Sequence, residues 1–444
     1  MRGAGGTGAA GARGGGVNLL ALRSHNAALV LDLLRTAGDE GISRLELAER
    51  TGLTPQAVSK ITARLREDGL AAEAGRRAST GGKPRTVLRL VPEAGHAVGV
   101  HLDRDEVRAV LVDLRGAVVG EGRAALDLGA GAEAVLGAVR ETVTGVLPAG
   151  LGGASWQQPA GLGGASRQGP AGGQGSAGLG GASGQQSAGG QQPAGLGGAS
   201  RQEPAGGQGS AGLGGASRQG PAGLDRVLLG VGVALPGPLD HARGVLHRVT
   251  GFPEWDGFPL REALAERLGV PVVVDKDTNA AALGLAAGGE GGSFAYLHLG
   301  TGLGAGLVIG GSVHRGARTG AGEFGHQVIQ LDGPPCTCGN RGCVEALCLA
   351  AVARGDPAEA ARVLGAGAAN LVGLLDIDVI LLGGRTVAAA PEAFTDGVGA
   401  VLEARARRTG QAAVPVRVTS GGGGVVAVGA AQLVLGPVFG RGGG

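Results

Sequence analysis

The strongest chemical pattern in the sequence lies in two short stretches, GEFGH at 322–326 and CTCGNRGCVE at 336–345. One histidine precedes three cysteines that fall within eight residues, and together they supply the Cys₃His ligand set of a tetrahedral metal site. The two thiols of C-x-C bridge each other poorly, and disulfides are rare in a cytosolic protein. The pattern therefore predicts a structural zinc ion whose ligands are His326, Cys336, Cys338 and Cys343.

A second group of polar residues follows a short apolar run. Residues 270–274 are continuously apolar, which is typical of a strand that is buried on both faces of a sheet. The polar residues come at the end of this strand, where open α/β sheets place their ligand sites; they are Asp275, Lys276, Asp277 and Asn279. An ion pair of Lys276 with Asp275 or Asp277 would lower the basicity of that carboxylate. Two interpretations of Asp277 stay open, a ligand contact and a structural carboxylate at the strand end.

The N-terminal part of the chain has the sequence signals of a helix-turn-helix. Apolar residues at helical spacing predict a first helix over 18–37. Ser43, with Glu46 three residues later, forms a capping box that opens a second helix. After a tight turn, Thr54 caps a third helix that has Pro55 at its first position. Helix, short glycine-containing turn and helix is the arrangement that places its second helix in the DNA major groove.

Basic residues follow this motif on a predicted hairpin. GGKPR at 81–85 precedes a predicted strand over 86–91, which is typical of the wing of a winged helix-turn-helix. Residues 17–91 carry a net charge of +4 while the whole chain carries +2, and this asymmetry favours contact with nucleic acid. A small helical domain that binds a protein is the alternative. The residues predicted to contact DNA are Gln56, Ser59, Lys60, Thr62 and Arg64 on the third helix, and Lys83 and Arg85 on the wing.

From residue 92 onward, short apolar runs and helical patterns indicate an α/β body. The predicted strands cover 97–102, 107–114, 117–123, 227–234, 270–274, 294–299 and 305–309, and the predicted helices cover 132–147 and 259–268. The last two strands form a hairpin around the glycine-rich turn GTGLG at 300–304.

A glycine-rich segment interrupts this body. The chain has 95 glycines among 444 residues, and AGLGGAS starts at Ala149, Ala160, Ala177, Ala194 and Ala211. Each repeat offers one leucine to bury, which cannot offset a backbone ordering cost of roughly 1–2 kcal/mol per residue. We therefore expect a disordered low-complexity insertion over 149–223, with a binding role for the repeats as the alternative. No apolar run approaches the roughly 18 residues of a membrane span, so we expect a cytoplasmic protein.

The layout of the chain resembles the ROK family (repressors, open reading frames, sugar kinases). The resemblance rests on GEFGH, CTCGNRGCVE and the winged helix-turn-helix, and it covers about residues 17–436 apart from the insertion. It implies an α/β fold, with an N-terminal winged helix-turn-helix followed by a two-lobed actin-like (ribonuclease H-like) body with a zinc-binding loop. The predicted ranges are 1–16 for a disordered tail, 17–91 for the DNA-binding domain, 92–148 and 224–436 for the body, 149–223 for the disordered Gly-rich insertion, and 437–444 for a second disordered tail.

The same resemblance implies a sugar site in the cleft between the two lobes. Glu323, His326 and Glu345 would contact sugar hydroxyls, with His326 serving zinc and sugar through its two ring nitrogens. Asp277 falls where the family's kinases keep the general base, and it would contact the sugar as well. Carboxylates suit this role because charge-assisted hydrogen bonds are the stronger kind. The alternative for Glu323 and Glu345 is that they cap the zinc loop.

Two departures from the family's kinases argue against phosphoryl transfer. The kinases have an Asp-x-Gly-Gly-Thr turn where this chain reads HLDRDE at 101–106, so the glycines that admit a phosphate are replaced. Each acid about 5 Å from a phosphate charge would cost roughly 3 kcal/mol at an effective dielectric near 20. We expect Arg104 to be the only nearby cation. In addition, Lys276 stands where an asparagine usually precedes Asp277.

These observations favour a sugar-responsive transcriptional repressor of carbohydrate genes with a catalytically inactive sugar-kinase-like sensor domain. The expected cofactor is structural zinc, and no ATP is expected. The expected partners are operator DNA, a sugar or sugar-derivative effector and further copies of the chain in a homodimer or homotetramer, without a membrane. Two alternatives stay open, an ATP-dependent sugar kinase of the ROK family and a repressor that responds to a protein partner.

Overall fold

The computed structural model describes residues 25–77, 85–149, 151, 227–247, 249, 252–419 and 424–441. Within these residues the chain forms a small N-terminal domain and two lobes, each built on a five-stranded sheet. The predictions for the tail at 1–16, for Lys83 and for the insertion beyond Leu151 lie outside the described residues. The predicted limits of the insertion stay predictions.

The N-terminal domain is a winged helix-turn-helix, as the sequence predicts. Its elements are α1 (His25–Thr36), β1 (Ile42–Ser43), α2 (Arg44–Thr51), α3 (Pro55–Glu67), β2 (Ala71–Arg77) and β3 (Arg85–Leu90). The predicted capping box is present, because Ser43 accepts from the Glu46 amide and the Glu46 carboxylate accepts from the Ser43 amide. Thr54 caps α3 by accepting from the Ala57 amide. The three strands form an antiparallel sheet in the order β1-β3-β2.

The first lobe continues directly from the wing. Its elements are β4 (Gly95–Leu102), β5 (Glu106–Asp113), β6 (Val118–Ala125), α4 (Ala132–Val146), β7 (Val227–Leu235), β8 (Leu239–Asp240), β9 (Val245–Leu246), α5 (Leu260–Leu268) and β10 (Val272–Lys276). The sheet has the order β10-β7-β4-β5-β6, with β4, β5 and β6 antiparallel and β7 and β10 parallel to β4.

The prediction that β10 is buried on both faces is wrong. The strand lies at the edge of its sheet, and its burial alternates along the first three residues. Val272 and Val274 are buried in the core of the lobe, whereas the Val273 side chain is 38% exposed. The apolar run therefore has only one covered face over this part of the strand.

The second lobe carries the predicted hairpin and most of the remaining helices. Its elements are α6 (Asp277–Ala287), β11 (Phe294–Leu299), β12 (Leu303–Ile309), β13 (Ser312–Val313), α7 (Val344–Ala353), α8 (Pro357–Leu375), β14 (Val379–Gly383), α9 (Arg385–Ala389), α10 (Pro391–Thr409), β15 (Val416–Val418) and α11 (Val425–Leu435). The sheet order is β13-β12-β11-β14-β15, and β11 pairs with β12 in antiparallel fashion around the glycine turn. Helix α11 returns to the first lobe, where it packs on β4 and β7.

The core of the first lobe continues into the N-terminal domain. One cluster of buried side chains contains Leu31 and Leu65 of the winged helix-turn-helix together with Val112 of the first sheet. The same cluster contains Val438 and Phe439, which belong to a 3₁₀ helix, Gly436–Phe439. The prediction of a disordered tail from residue 437 is therefore wrong for its first part, because these two apolar side chains are buried against α1.

Among the described helices, α8 alone is long and apolar enough to cross a membrane. A core helix of a globular protein meets the same criterion. Leu364 and Ala368 of α8 are fully buried in the core of the second lobe, together with Val398 and Leu402 of α10. The composition of α8 is thus explained by its packing.

Candidate functional site

The four residues predicted to contact a sugar line one cavity between the lobes. Lys276 ends β10 and Asp277 begins α6, so the strand end delivers both side chains to the cleft. Glu323 stands just before the 3₁₀ helix Phe324–His326, and Glu345 lies in the first turn of α7. The cavity has a volume of about 110 Å³. Its acidic and imidazole side chains are Asp103, Asp277, Glu323, Glu345, His298 and His326.

Among the described residues, the Lys276 side chain forms its ion pair with Glu323 and not with Asp275 or Asp277. Its Nζ donates to Glu323 Oε1 at 3.0 Å and to the Ala321 carbonyl oxygen at 2.6 Å. The Lys276 side chain is 3% exposed and that of Glu323 is 47% exposed. Successive side chains of a strand point to opposite faces, which directs Lys276 away from Asp275 and across the cleft. The buried ammonium is therefore neutralised by a residue predicted to contact sugar.

Asp275 and Asn279 have structural roles instead. Asp275 accepts from Arg315 Nε at 2.7 Å and from Asn279 Nδ2 at 2.9 Å, and all three side chains are buried. Arg315 lies in the loop that leads from β13 to Glu323. This buried ion pair fixes the loop on the first lobe. The sequence analysis did not identify Arg315, because nothing in its local sequence distinguishes it from the exposed arginines of the chain.

Glu345 contacts both the glycine turn and the cysteine loop. Its Oε2 accepts from the Leu303 amide at 2.8 Å, and its Oε1 lies 3.9 Å from Cys336 Sγ. Its place in the first turn of α7 is favourable for a carboxylate, because the helix dipole is positive there. The capping interpretation of Glu345 thus has a structural basis, and the residue lines the cleft at the same time.

The predicted metal ligands form a compact group. One donor atom from each of His326, Cys336, Cys338 and Cys343 lies within 4.8 Å of the others. The distances from Cys336 Sγ to His326 Nδ1 and from Cys338 Sγ to Cys343 Sγ are both 3.7 Å. A tetrahedron with zinc–sulfur bonds of about 2.3 Å has edges of about 3.8 Å. Three thiols and one imidazole at these separations fit a zinc ion.

The loop that carries the cysteines depends on a glycine. Gly342 has a φ of +66°, and a Cβ atom there would lie 1.6 Å from the carbonyl oxygen of Gln330. A residue with a side chain would therefore displace the Gln330 backbone as well as adopt a strained conformation. Cys343 follows at once and caps α7, so the turn sets the position of this cysteine.

The acidic turn HLDRDE at 101–106 has an unexpected cation beside it. Arg385, at the start of α9, donates to Asp105 at 2.9 and 3.1 Å and to Asp103 at 3.2 Å. These hydrogen bonds hold the pKa of Asp105 below its usual value. The expectation that Arg104 is the only nearby cation is wrong, because the fold brings in a residue from 280 positions away. Arg385 joins the two lobes at this edge of the cleft.

A second cavity of about 550 Å³ adjoins the acidic turn. His101 and His298 line it, and the His298 Nδ1 atom lies 2.9 Å from the Tyr296 hydroxyl. Burial lowers the pKa of His101, although the nearby carboxylates of Asp277 and Asp103 oppose this shift. Burial thus favours the neutral form of the His101 ring.

The recognition helix presents a polar surface to solvent. The predicted DNA contacts with exposed side chains are Gln56, Ser59, Lys60 and Arg64 on α3, and Arg85 on β3. Thr62 requires a correction, because its side chain is fully buried. Its hydroxyl donates to the Val58 carbonyl at 2.8 Å and accepts from Arg44 Nε at 3.2 Å. Thr62 stands four residues after Val58 and thus shares its buried face.

Two family models match the sequence. The model of the ROK family matches residues 220–354, and a model of winged helix-turn-helix DNA-binding domains matches residues 30–71. The second match covers the recognition helix α3. The first covers the strand end at Asp277, the glycine turn and the cysteine loop. The candidate DNA-binding helix and the candidate sugar site therefore each lie within a matched family model.

Curated relatives include repressors and kinases. The xylose repressor of Bacillus subtilis (strain 168) is 24% identical over 310 residues, which are 68% of this chain and 61% of the repressor. The kanosamine kinase of Amycolatopsis mediterranei (strain S699) is 32% identical over 227 residues, which are 44% of this chain and 73% of the kinase. The chain spans less than two thirds of the length of the xylose repressors and glucokinases that it matches.

A solved structure shares the whole architecture. It is a ROK family transcriptional regulator described as a homolog of the E. coli MLC protein, with 20% sequence identity and a TM-score of 0.61. The match covers 94% of this chain and 97% of that one, and it shows the fold of the winged domain and both lobes. With the family model and the kanosamine kinase relative, these findings establish that the chain belongs to the ROK family and carries an N-terminal winged helix-turn-helix.

Proposed function

We propose that the protein is a sugar-responsive DNA-binding repressor of carbohydrate genes, and that its body senses sugar without phosphorylating it. One observation carries the proposal: the chain combines an exposed recognition helix with a cleft in which Asp277, Glu323, His326 and Glu345 meet. A ROK family transcriptional regulator of known structure shares the fold over 94% of this chain. A homodimer or homotetramer in the cytoplasm would present paired recognition helices to a palindromic operator.

The cleft offers both acceptors and a donor to a sugar. Within the described residues, one oxygen of Asp277 accepts from the Thr278 amide and one oxygen of Glu323 accepts from Lys276. The second oxygen of each carboxylate can accept from a sugar hydroxyl. An ammonium has three donors, and two donors of Lys276 are engaged, so the third can reach a sugar oxygen. This pairing of charged groups suits a neutral polyhydroxyl ligand.

We propose zinc as a structural cofactor held by His326, Cys336, Cys338 and Cys343. A bound zinc ion would supply folding energy to a loop that has few apolar side chains of its own. The isolated bridge between Val328 and Cys343 brings the two ends of this loop together. The loop thereby sets the spacing between His326 before it and Glu345 after it. The ring of His326 turns Nδ1 towards Cys336, which leaves its other nitrogen for the cleft.

The acidic turn supports the absence of kinase activity. A triphosphate placed there would have to separate Arg385 from Asp103 and Asp105 and would then face both carboxylates. Glu106, which pairs with Arg108, is a third carboxylate beside the second cavity. We therefore propose that the body does not transfer phosphate. An ATP-dependent sugar kinase is the competing function, favoured by the kinase relatives and by the place of Asp277 in the cleft.

The proposal is tested with operator duplexes selected from a random DNA library by the purified protein. Fluorescence anisotropy then measures operator affinity with and without each of a panel of mono- and disaccharides. We expect at least one sugar to change operator affinity by about fivefold or more. Glu345→Gln keeps an acceptor for the Leu303 amide but removes the charge, so it should weaken sugar binding about tenfold. Glu403→Gln, exposed on α10, is the matched control.

Two outcomes would replace this function. If no sugar changes operator affinity while operator binding is intact, a repressor that responds to a protein partner becomes the better explanation. If sugar-dependent ATP turnover appears and Asp277→Asn abolishes it, the body is a kinase. The coupled turnover assay uses the same protein and the same sugar panel, so the two alternatives are separated in one experiment.

A further inference from the structure

Helix α11 and the 3₁₀ helix that follows it connect the cleft with the DNA-binding domain. Val426 and Ala430 of α11 are buried in a cluster with the side chains of α6. Ala427 and Leu435 are buried in the cluster that contains the winged helix-turn-helix. The helix thus takes part in two cores at once. We refer to residues 425–441 as the connecting segment.

The connecting segment touches the backbone of the helix that carries Asp277. A Cβ atom at Gly429 of α11 would lie 1.8 Å from the carbonyl oxygen of Ala280 in α6. A Cβ atom at Gly284 of α6 would lie 2.9 Å from the Cα atom of Gly429. No side chain separates the two helices at this crossing. Because protein interiors are close-packed, a displacement of α6 at Asp277 is transmitted to α11.

The same segment lies directly on the first sheet. A Cβ atom at Gly99 in β4 would lie 1.9 Å from the carbonyl oxygen of Ala427, and one at Gly232 in β7 would lie 1.8 Å from that of Ala430. The two strands therefore approach α11 at glycines, as α6 does. This packing leaves no compressible layer of long side chains between the helix and the sheet.

The far end of the segment is attached to α1. The Phe439 side chain is buried, and the guanidinium of Arg35 lies 5.2 Å from the centre of its ring. Asp32 in α1 forms ion pairs with Arg35 and with Arg441, both at 3.1 Å. An apolar anchor and a charge network thus hold the segment against the first helix of the winged domain.

We infer that the connecting segment carries the ligand signal from the cleft to the DNA-binding domain. The inference rests on the proposed function and specifies how its two sites communicate. A sugar that binds Asp277 more tightly in one arrangement of the lobes shifts α6, and α11 moves with it. Phe439 and Arg441 then reposition α1, which packs against the body of the winged domain. These two residues are positioning residues that contact neither sugar nor DNA.

The test compares Phe439→Leu and Arg441→Ala with the parent protein. Operator affinity is measured with and without the sugar found in the panel, and sugar affinity is measured without DNA. We expect both separate affinities to stay within about threefold of the parent. The sugar effect is the ratio of the larger to the smaller operator affinity measured with and without sugar. This ratio should fall at least fivefold towards one. Arg408→Ala, exposed on α10, is the control that should keep the parent ratio.

The outcomes separate this inference from the proposed function. A ratio of one in the parent protein means that the proposed function is wrong, and the inference is then overturned with it. A parent ratio above five that both variants retain overturns the inference alone. If Phe439→Leu does not fold, Arg441→Ala decides, because the Arg441 side chain is 42% exposed. Hydrogen exchange should also show a sugar-induced change in α1 amides that Arg441→Ala abolishes.

Discussion

Replacing Glu323 by alanine should destabilise the protein as well as weaken sugar binding. Glu323 neutralises the ammonium of Lys276, which is 3% exposed. Two unit charges about 3 Å apart attract each other by about 5 kcal/mol at an effective dielectric near 20. The net loss is smaller, because Glu323 is 47% exposed and the Ala321 carbonyl still accepts from the ammonium. We therefore expect a loss of about 2 kcal/mol, as for a buried donor left partly unsatisfied.

The measurement is the free energy of unfolding from chemical denaturation, supported by thermal unfolding. Lys276→Met with Glu323→Ala should recover most of the loss, because the double variant removes both charges. A double-mutant cycle then isolates the coupling between the two side chains. Glu403→Ala removes an exposed carboxylate of α10 and should stay within about 0.5 kcal/mol of the parent.

Two results would refute this reasoning. One is that Glu323→Ala unfolds at the parent's denaturant concentration, which would mean that water stabilises the Lys276 ammonium as well as the carboxylate does. Alternatively, the double variant would lose the sum of the two single effects, which would mean that the side chains do not interact. Either result would return Glu323 to the role of an ordinary sugar contact.

Cys338→Ser should lose bound zinc and fold poorly, since metal binding contributes folding energy; metal analysis of the native parent without zinc would contradict the site. Lys60→Ala should weaken operator binding about fivefold in anisotropy, and equal parent affinity for random and operator DNA would argue against α3 as the recognition helix. Arg385→Gln should cost about 1 kcal/mol in unfolding free energy, because its ion pairs are partly exposed, and the loss should shrink at 1 M salt. His101 binds a proton more readily in the unfolded chain, so stability should fall as the pH drops below about 6.5, its ordinary pKa. His101→Gln should flatten that dependence, although Asp277, Asp103, His298 and Arg108 face the same ring.

Local sequence signals were sufficient to predict the winged domain and the grouping of His326 with the three cysteines. The capping box joins Ser43 and Glu46, which are three residues apart, so residue types and spacing determine it. The cysteines at 336, 338 and 343 belong to one short loop and meet for the same reason. The predicted strands and helices of the body agree with the structure to within a few residues at most ends, because apolar periodicity reports which face is buried.

The charge pairs could not be predicted, because they depend on the order of the strands. Arg385 is 280 residues from Asp105, and Glu323 is 47 residues from Lys276. Each charged residue has many candidate ion-pair partners of opposite charge along the chain. Only the folded lobes bring one of these partners within contact distance. Thr62 is different, since its position four residues after Val58 already places it on the buried face of α3. That error came from reading a polar side chain as an exposed one.

The distribution of these pairs indicates where a ligand can change the structure. On one side of the cleft, Lys276 and the buried pair of Asp275 with Arg315 tie the loop before Glu323 to the first lobe. A ligand at Glu323 meets a side chain that is already ordered, which favours affinity but offers little conformational change. Asp277 begins a helix that contacts α11 directly, and Arg385 closes the opposite edge through partly exposed ion pairs. We therefore expect the differential affinity that any regulation requires to arise at Asp277 and at the edge closed by Arg385 rather than at Glu323.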